Sequence, residues 1–254
     1  MTSLTIIYQD ADFLVIDKPA GLVVSPTETS SDETLADIVK KDFNIDLERA
    51  GIVHRLDKNT SGIILVAKTP ETLENLQHQF QTREVKKEYL SLVHGFLPDS
   101  GQIIAPIGRN PKNREKFTVL SDGKEAQTNY QTLKYLEMPE NILNELFVDF
   151  SKIQFRKLAN LNYSKFSFVK CFPLTGRTHQ IRVHLKHLGF AIVGDEKYGG
   201  RKITRLDHRF CRRQFLHASK ISFKHPRTAE QLVFESPLPA DLKKALSLLK
   251  EVSI

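Results

Sequence analysis

The sequence predicts an α+β fold, with a mixed, mostly antiparallel sheet and flanking helices. Three observations lead there. Short β-branched runs and segments of helical period are interspersed, without the regular strand–helix alternation of a parallel sheet. Phe215 to Phe223 and Gln231 to Phe234 read as a closing pair of strands. The chain has 254 residues, 40% hydrophobic and 26% charged. That is ordinary globular composition, long enough to bury about 70% of the unfolded surface.

The elements follow in order. Asp12-Phe13-Leu14-Val15-Ile16-Asp17 is a short buried strand, and Lys18-Pro19-Ala20-Gly21 is the turn after it. Leu35, Ile38, Val39 and Phe43 recur at helical spacing behind an Asp32-Glu33 start. Ile63-Ile64-Leu65-Val66-Ala67 is a buried strand bounded by Gly62. Thr69 caps a helix with Pro70 in its first turn and Leu73, Leu76 and Phe80 on one face. Tyr89 to Val93 is a strand, as is Phe166 to Leu174. Gly176 opens a turn, Thr178 caps a helix with Ile181, Leu185 and Leu188 inward, and Gly189 stops it. Pro239 opens a last helix with Leu242, Ala245, Leu246 and Leu249 on one side. Glu137 to Ser164 is the least patterned stretch and reads as an excursion from the core.

No apolar run approaches the roughly 18 residues of a membrane span, and no signal peptide precedes the first strand. Cys171 and Cys211 lack metal-ligand spacing and read as two buried thiols of a cytoplasmic protein. The net charge of +7 is unevenly placed. Residues 1–50 hold 4 basic and 10 acidic side chains, whereas residues 151–230 hold 18 basic and 4 acidic ones. Such a basic block suits a polyanion such as RNA, because neutralising phosphates releases counterions. A solvated basic face is the plainer alternative.

Two clusters carry chemistry. His54-Arg55-Leu56-Asp57-Lys58-Asn59-Thr60-Ser61-Gly62 is a polar loop ahead of a buried strand. Asp57 is its only carboxylate, and neighbouring cations favour the ionised form, which suits a nucleophile or a base. An Asx-type turn is the competing reading. Gly176-Arg177-Thr178-His179-Gln180-Ile181-Arg182-Val183-His184 is the second cluster. Thr178, Arg182 and Lys186 share one face of the expected helix, aiming Arg182 at an anion. His179 and His184 are five apart, which does not place two ligands on one helix face, so no metal site is expected.

Together these residues resemble the RluA-type pseudouridine synthases. His54-Arg55-Leu56-Asp57 with Thr60-Ser61-Gly62 is similar to one hallmark of that family, and Gly176 to His184 to another. Lys18-Pro19-Ala20-Gly21, Lys87-Glu88-Tyr89, Gly123 to Thr128, Gly194-Asp195 with Tyr198-Gly199, and Leu216-His217-Ala218 fall in the family's order. The resemblance spans about residues 6–236.

The resemblance implies a pseudouridine synthase fold with a central cleft. It implies a single catalytic domain over 1–254, from which two departures are expected: no separate N-terminal RNA-binding domain, where many relatives carry one, and an insertion at 137–164 that lengthens the interval between Tyr130 and Thr175. It also implies a monomeric isomerase that turns uridine into pseudouridine in structured RNA, without cofactor or metal. Large-subunit rRNA is the favoured substrate and tRNA the second; a catalytically silent RNA-binding protein of the same fold is the alternative. Asp57 matches the catalytic aspartate, acting either as nucleophile at the anomeric carbon or as base on the neighbouring ribose carbon. Tyr89 matches the tyrosine that stacks on uracil, and Arg182 the basic partner of the aspartate. Arg55 matches the arginine that fills the gap left by the extruded nucleotide. His54, Arg177, His179, Arg212 and Arg213 are expected at the RNA; the basic block, with Arg177 and Arg182 and on through Arg201 to Arg213, reads as one RNA-facing wall of the cleft with the Asp57 loop facing it.

Overall fold

The structure, a computed structural model, describes residues 4–26, 33–160 and 163–253. The chain sorts into two compact units, Met1–Glu88 with His217–Pro237, and Tyr89–Leu216 with Leu238–Ile254.

The first unit opens with β1 (Thr5–Gln9) and β2 (Phe13–Lys18), which pair antiparallel. Phe13 to Ile16 are all fully buried, so β2 is apolar on both faces. Then comes α1 (Leu35–Phe43), whose start differs from expectation. Asp32 lies outside the described residues, and Thr34 is the N-cap. Its hydroxyl accepts from the Asp37 N–H (3.3 Å), and the Asp37 carboxylate accepts from the Thr34 N–H (2.9 Å). This capping box satisfies two helix-end donors at once. β3 (Ser61–Ala67) is buried throughout, and α2 (Pro70–Gln81) starts from Thr69 as expected, with the Thr72 N–H donating to its hydroxyl (3.2 Å).

β4 (Lys86–His94) carries the chain into the second unit. There follow β5 (Ser100–Ile104), a small hairpin of β6 (Ile107–Arg109) and β7 (Phe117–Val119), and the long β8 (Gln127–Glu137). The expected excursion holds two short helices, α3 (Glu140–Leu146) and α4 (Lys152–Asn160). β9 (Lys165–Pro173), α5 (Gln180–His187) and α6 (Arg201–Asp207) complete this stretch. β10 (Leu216–Lys224) and β11 (Gln231–Glu235) form the expected antiparallel pair and bring the chain back to the first unit. α7 (Ala240–Ser247) and β12 (Lys250–Val252) belong to the second.

In the first unit β3 pairs antiparallel with β2 and parallel with β10. In the second, β9 lies antiparallel between β4 and β8, and β8 is long enough to take β5 beside one half and β12 beside the other. Each unit has its own apolar core, around Phe13, Leu65 and Phe223 in one and around Val93, Phe166 and Phe215 in the other. The excursion has a satellite core of Phe147, Leu158 and Tyr163. Both cysteines are free and buried, and burial pushes each thiol up to about 12, so both stay protonated. Among the described residues no helix is long and apolar enough to cross a membrane.

The parallel step from β3 to β10 depends on Gly62. Its φ is +113°, and a Cβ there would lie 2.2 Å from the Ala218 carbonyl oxygen. Gly62→Ala combines backbone strain with overpacking against a main chain that cannot yield, a cost of about 3 kcal/mol. A lowered urea midpoint with an unchanged slope checks this.

Candidate active site

The Asp57 loop is held by its own backbone and by one buried lysine. Lys18 is fully buried at the end of β2. Its ammonium donates to the carbonyls of Pro19 (2.8 Å), Leu22 (2.9 Å) and Lys58 (3.2 Å). A desolvated charge is tolerated only with such partners. The Gly21 N–H also donates to the Lys58 carbonyl (2.8 Å), and the Thr60 N–H to that of Asp57 (3.0 Å). The Lys18-Pro19-Ala20-Gly21 turn and the Asp57 loop are thereby one rigid piece. Leu56 is buried beneath them, Asp57 is half-buried, and Arg55 and Lys58 are exposed.

Two histidines complete this scaffold. His217 Nε2 faces the Ser236 carbonyl (3.0 Å), so it carries the proton, and Nδ1 accepts from the Ser61 hydroxyl (3.0 Å). This joins β10 to the start of β3. His54, expected at the RNA, accepts the Leu65 N–H at Nε2 (3.1 Å) and lies against the Phe80 ring, 4.9 Å between centroids. Burial, aided by the charge of Lys87, holds its pKa down to about 3. The imidazole is therefore a neutral anchor of the loop.

The sign of the pH effect follows. Below its ordinary value of 6.5 the imidazole protonates when unfolded but not when folded. Stability should therefore fall as pH drops from about 6.5 toward 3, by up to about 1.4 kcal/mol per pH unit. Urea unfolding at pH 7, 6 and 5 should show a steeper loss for wild type than for His54→Gln.

The second cluster departs from expectation at its start. Thr178 does not cap α5. His179 takes the left-handed conformation at φ 58°, and the helix begins at Gln180 without a side-chain cap. The buried Gln180 amide does the organising. Its oxygen accepts from Thr175 Oγ (2.7 Å) and the Arg177 N–H (3.0 Å), and its nitrogen donates to the Gln127 carbonyl (2.9 Å) and Thr128 Oγ (3.0 Å).

Arg182 is also not on an open face. It is 4% exposed, and its fork donates to Asp195, Nε to Oδ2 at 2.7 Å and Nη2 to Oδ1 at 2.8 Å. Asp195 is itself fully buried and accepts the N–H groups of Lys197 (2.9 Å) and Tyr198 (3.0 Å). The Tyr198 ring stacks on the guanidinium at 5.0 Å, and its hydroxyl meets His179 Nδ1 (2.8 Å) and the Phe117 N–H (3.0 Å). Bidentate pairing and ring stacking fix the guanidinium plane. Asp195 and Tyr198 lie within a recognised motif, but no helical or strand period links them to Arg182, so their role was not legible.

The other expected site residues divide. Tyr89 is half-buried on β4, in register with Cys171 of β9. Arg177 is exposed, with Nε on the Glu125 carbonyl (2.9 Å). Arg213 forks onto Asp241 (2.6 and 3.2 Å) and so anchors α7. Arg212 is exposed and makes no hydrogen bond or ion pair among the described residues.

Part of the basic block is neutralised within the chain: Lys220, Lys224 and Arg227 pair with Glu235, Glu84 and Asp12. Charge summed along a chain does not register which cations are already neutralised.

His184 cannot serve a metal: Nε2 faces the Ala105 carbonyl (3.0 Å) and Nδ1 meets Thr128 Oγ (2.9 Å). Among the described residues one group, Asp10, Asp12 and His225, has ligand atoms close enough for a cation. The Arg227 guanidinium already pairs with Asp12 there.

Residues 12–187 match the family model described as RNA pseudouridylate synthase. The chain belongs to the RNA pseudouridylate synthase family. It is 38% identical, over 98% of its length and 73% of the relative's, to the uncharacterized RNA pseudouridine synthase YlyB of Bacillus subtilis. It is likewise 38% identical, over 98% of its length and 72% of the relative's, to ribosomal large subunit pseudouridine synthase D of Pseudomonas aeruginosa. The solved structure of human RNA pseudouridylate synthase domain containing 1 superposes with a TM-score of 0.71 at 27% identity, covering 99% of this chain and 90% of that one. The pseudouridine synthase fold and an isomerase activity on RNA follow from this membership.

Proposed function

We propose that this pseudouridine synthase acts on large-subunit rRNA in the cytoplasm as a monomer, with Asp57 as its catalytic carboxylate. The observation that carries the assignment is the Asp57 loop itself. A buried lysine with three carbonyl partners, Lys18, is spent on fixing the backbone beside one half-buried carboxylate. Preorganisation of this kind is what a group attacking a sugar requires. The substrate class is supported by relatives from Pseudomonas and Xanthomonas named ribosomal large subunit pseudouridine synthase D; tRNA is the second candidate.

In the proposed reaction the target uridine leaves its stack, and exposed Arg55 fills the gap. This offsets part of an unstacking cost of a few kcal/mol. Asp57 acts on the ribose, as nucleophile at the anomeric carbon or as base at its neighbour, and the carbon–nitrogen bond breaks. The uracil turns, its ring carbon 5 bonds to the anomeric carbon as the bond to Asp57 breaks or the proton returns to the neighbouring ribose carbon, and the proton on carbon 5 is removed, with the Tyr89 hydroxyl as candidate base. Arg182, whose guanidinium plane Asp195 fixes, is the candidate basic partner in this reaction, the role its motif carries in the family.

Pseudouridine mapping of total RNA with and without the gene tests the reading. A site that disappears from large-subunit rRNA and returns with the wild-type gene supports it. A missing site in tRNA replaces the substrate, and an unchanged map overturns the reading. Of the two adjacent arginines, only Arg212 has its charge uncommitted among the described residues. Arg212→Gln should weaken RNA affinity and flatten its salt dependence by about one contact, whereas Arg213→Gln should chiefly lower stability. Filter binding and urea melts separate the two.

A further inference from the structure

We propose that the outward faces of α4 and α6 form a second, phosphate-binding surface that grips the substrate RNA away from the target nucleotide. The inference rests on the RNA substrate of the preceding section and goes beyond it.

α4 reads Lys152-Ile153-Gln154-Phe155-Arg156-Lys157-Leu158-Ala159-Asn160, without an acidic residue. α6 reads Arg201-Lys202-Ile203-Thr204-Arg205-Leu206-Asp207, with Asp207 fully buried. Both helices sink apolar residues into the same satellite core: Leu158 is buried there, and Phe155, Ile203 and Leu206 pack against it. Ile153 of α4 stays outside, 66% exposed, beside a mainly cationic set of side chains. Lys152, Arg156, Lys157, Arg201, Lys202 and Arg205 are all exposed, and none makes a hydrogen bond or ion pair among the described residues.

The nearby acids do not neutralise this set. Asp149 is spent on Arg209, whose fork it holds (Nη2 to Oδ2, 2.8 Å), and Glu196 faces His208 at 3.9 Å. Six unpaired cations on two helices sharing one core have a self-repulsion that a polyanion relieves. Phosphates also suit side chains of this type without requiring a sequence to be read.

The surface is coupled to the proposed site through Asp207. Its carboxylate accepts from the Tyr163 hydroxyl (3.0 Å) at the end of the excursion and from the Gly194 N–H (2.9 Å), and it faces His94 Nε2 at 3.0 Å. Gly194 precedes Asp195, the partner of Arg182. RNA held on α4 and α6 is therefore held by elements that are tied to the arginine's own support. This also assigns the excursion a purpose.

The test uses the full chain and an in vitro transcript of bacterial large-subunit rRNA, with affinity measured between 50 and 200 mM salt. Two triple variants, K152Q/R156Q/K157Q and R201Q/K202Q/R205Q, remove exposed, unpartnered charges; K243Q/K244Q/K250Q removes the same charge elsewhere. Each helix variant should weaken binding at least tenfold at low salt and lower the slope of log affinity against log salt by about two to three. The control should change the slope by less than one. Equal loss in the control shows net charge alone at work and overturns the surface, as do unchanged slopes in both helix variants. Wild-type affinity for the transcript combined with lost retention on phosphatidylglycerol vesicles makes the surface a membrane contact and overturns it too. These failures leave pseudouridine formation by the wild-type chain standing. Absence of both RNA binding and pseudouridine from wild type would sink the function and the surface together.

Discussion

Asp57→Asn is expected to fold, to bind RNA and to make no pseudouridine. The amide has the volume of the carboxylate, and the loop is positioned by backbone groups and Lys18 rather than by the Asp57 side chain alone. What is lost is the charge and the basic lone pair. An amide neither attacks an anomeric carbon usefully nor accepts a ribose proton at neutral pH, so both routes open to Asp57 close together. Loss of the principal catalytic group lowers turnover by a factor on the order of 10³ or more. Single-turnover release of carbon-5 tritium from labelled RNA measures this directly, and gel-shift affinity reports binding in parallel. Turnover within tenfold of wild type would remove Asp57 from its role.

Asp195→Ala is expected to be the most destabilising change at the site. Arg182 and Asp195 are a buried pair, 4% and 0% exposed, joined by two short bonds. Removing one member leaves the other charge in a poorly solvated place, and breaking such a pair costs about 3–5 kcal/mol. Two backbone N–H groups, of Lys197 and Tyr198, lose their acceptor as well. Asp195→Asn retains the volume and one acceptor, and should fold. Because the role proposed for Asp195 in the reaction is to hold Arg182, that variant should lower kcat more than it raises KM. A milder stability loss in Asp195→Ala than in Asp241→Ala, which breaks the more exposed Arg213 pair, would contradict this account.

Local elements were legible where local rules decide them. Thr69-Pro70 placed α2, four consecutive apolar residues placed the core of β2, and Gly189, at φ +93°, stops α5 where expected. The excursion was recognised only by its lack of pattern. Its helices are short and take their apolar partners from α6, about fifty residues on, so no local period reveals them. β8 escaped for a related reason: much of it is polar and half-exposed, and its strand character comes from three neighbours supplied by distant segments.

The site divides along the same line. Residue types and their order in the chain were enough to single out Asp57 and Arg182 as candidates and to suggest RNA as the partner, and the resemblance to the family added Tyr89, because chemistry depends on which groups are present. They could not say which charges remain available. His54 became a neutral anchor, Arg213 a clamp on α7 and Arg182 the guest of Asp195, while α4 and α6 kept their cations unpaired. Those outcomes depend on which carboxylate or carbonyl a fold brings within 3 Å of each cation. That distance is set by tertiary packing, and no sequence spacing encodes it.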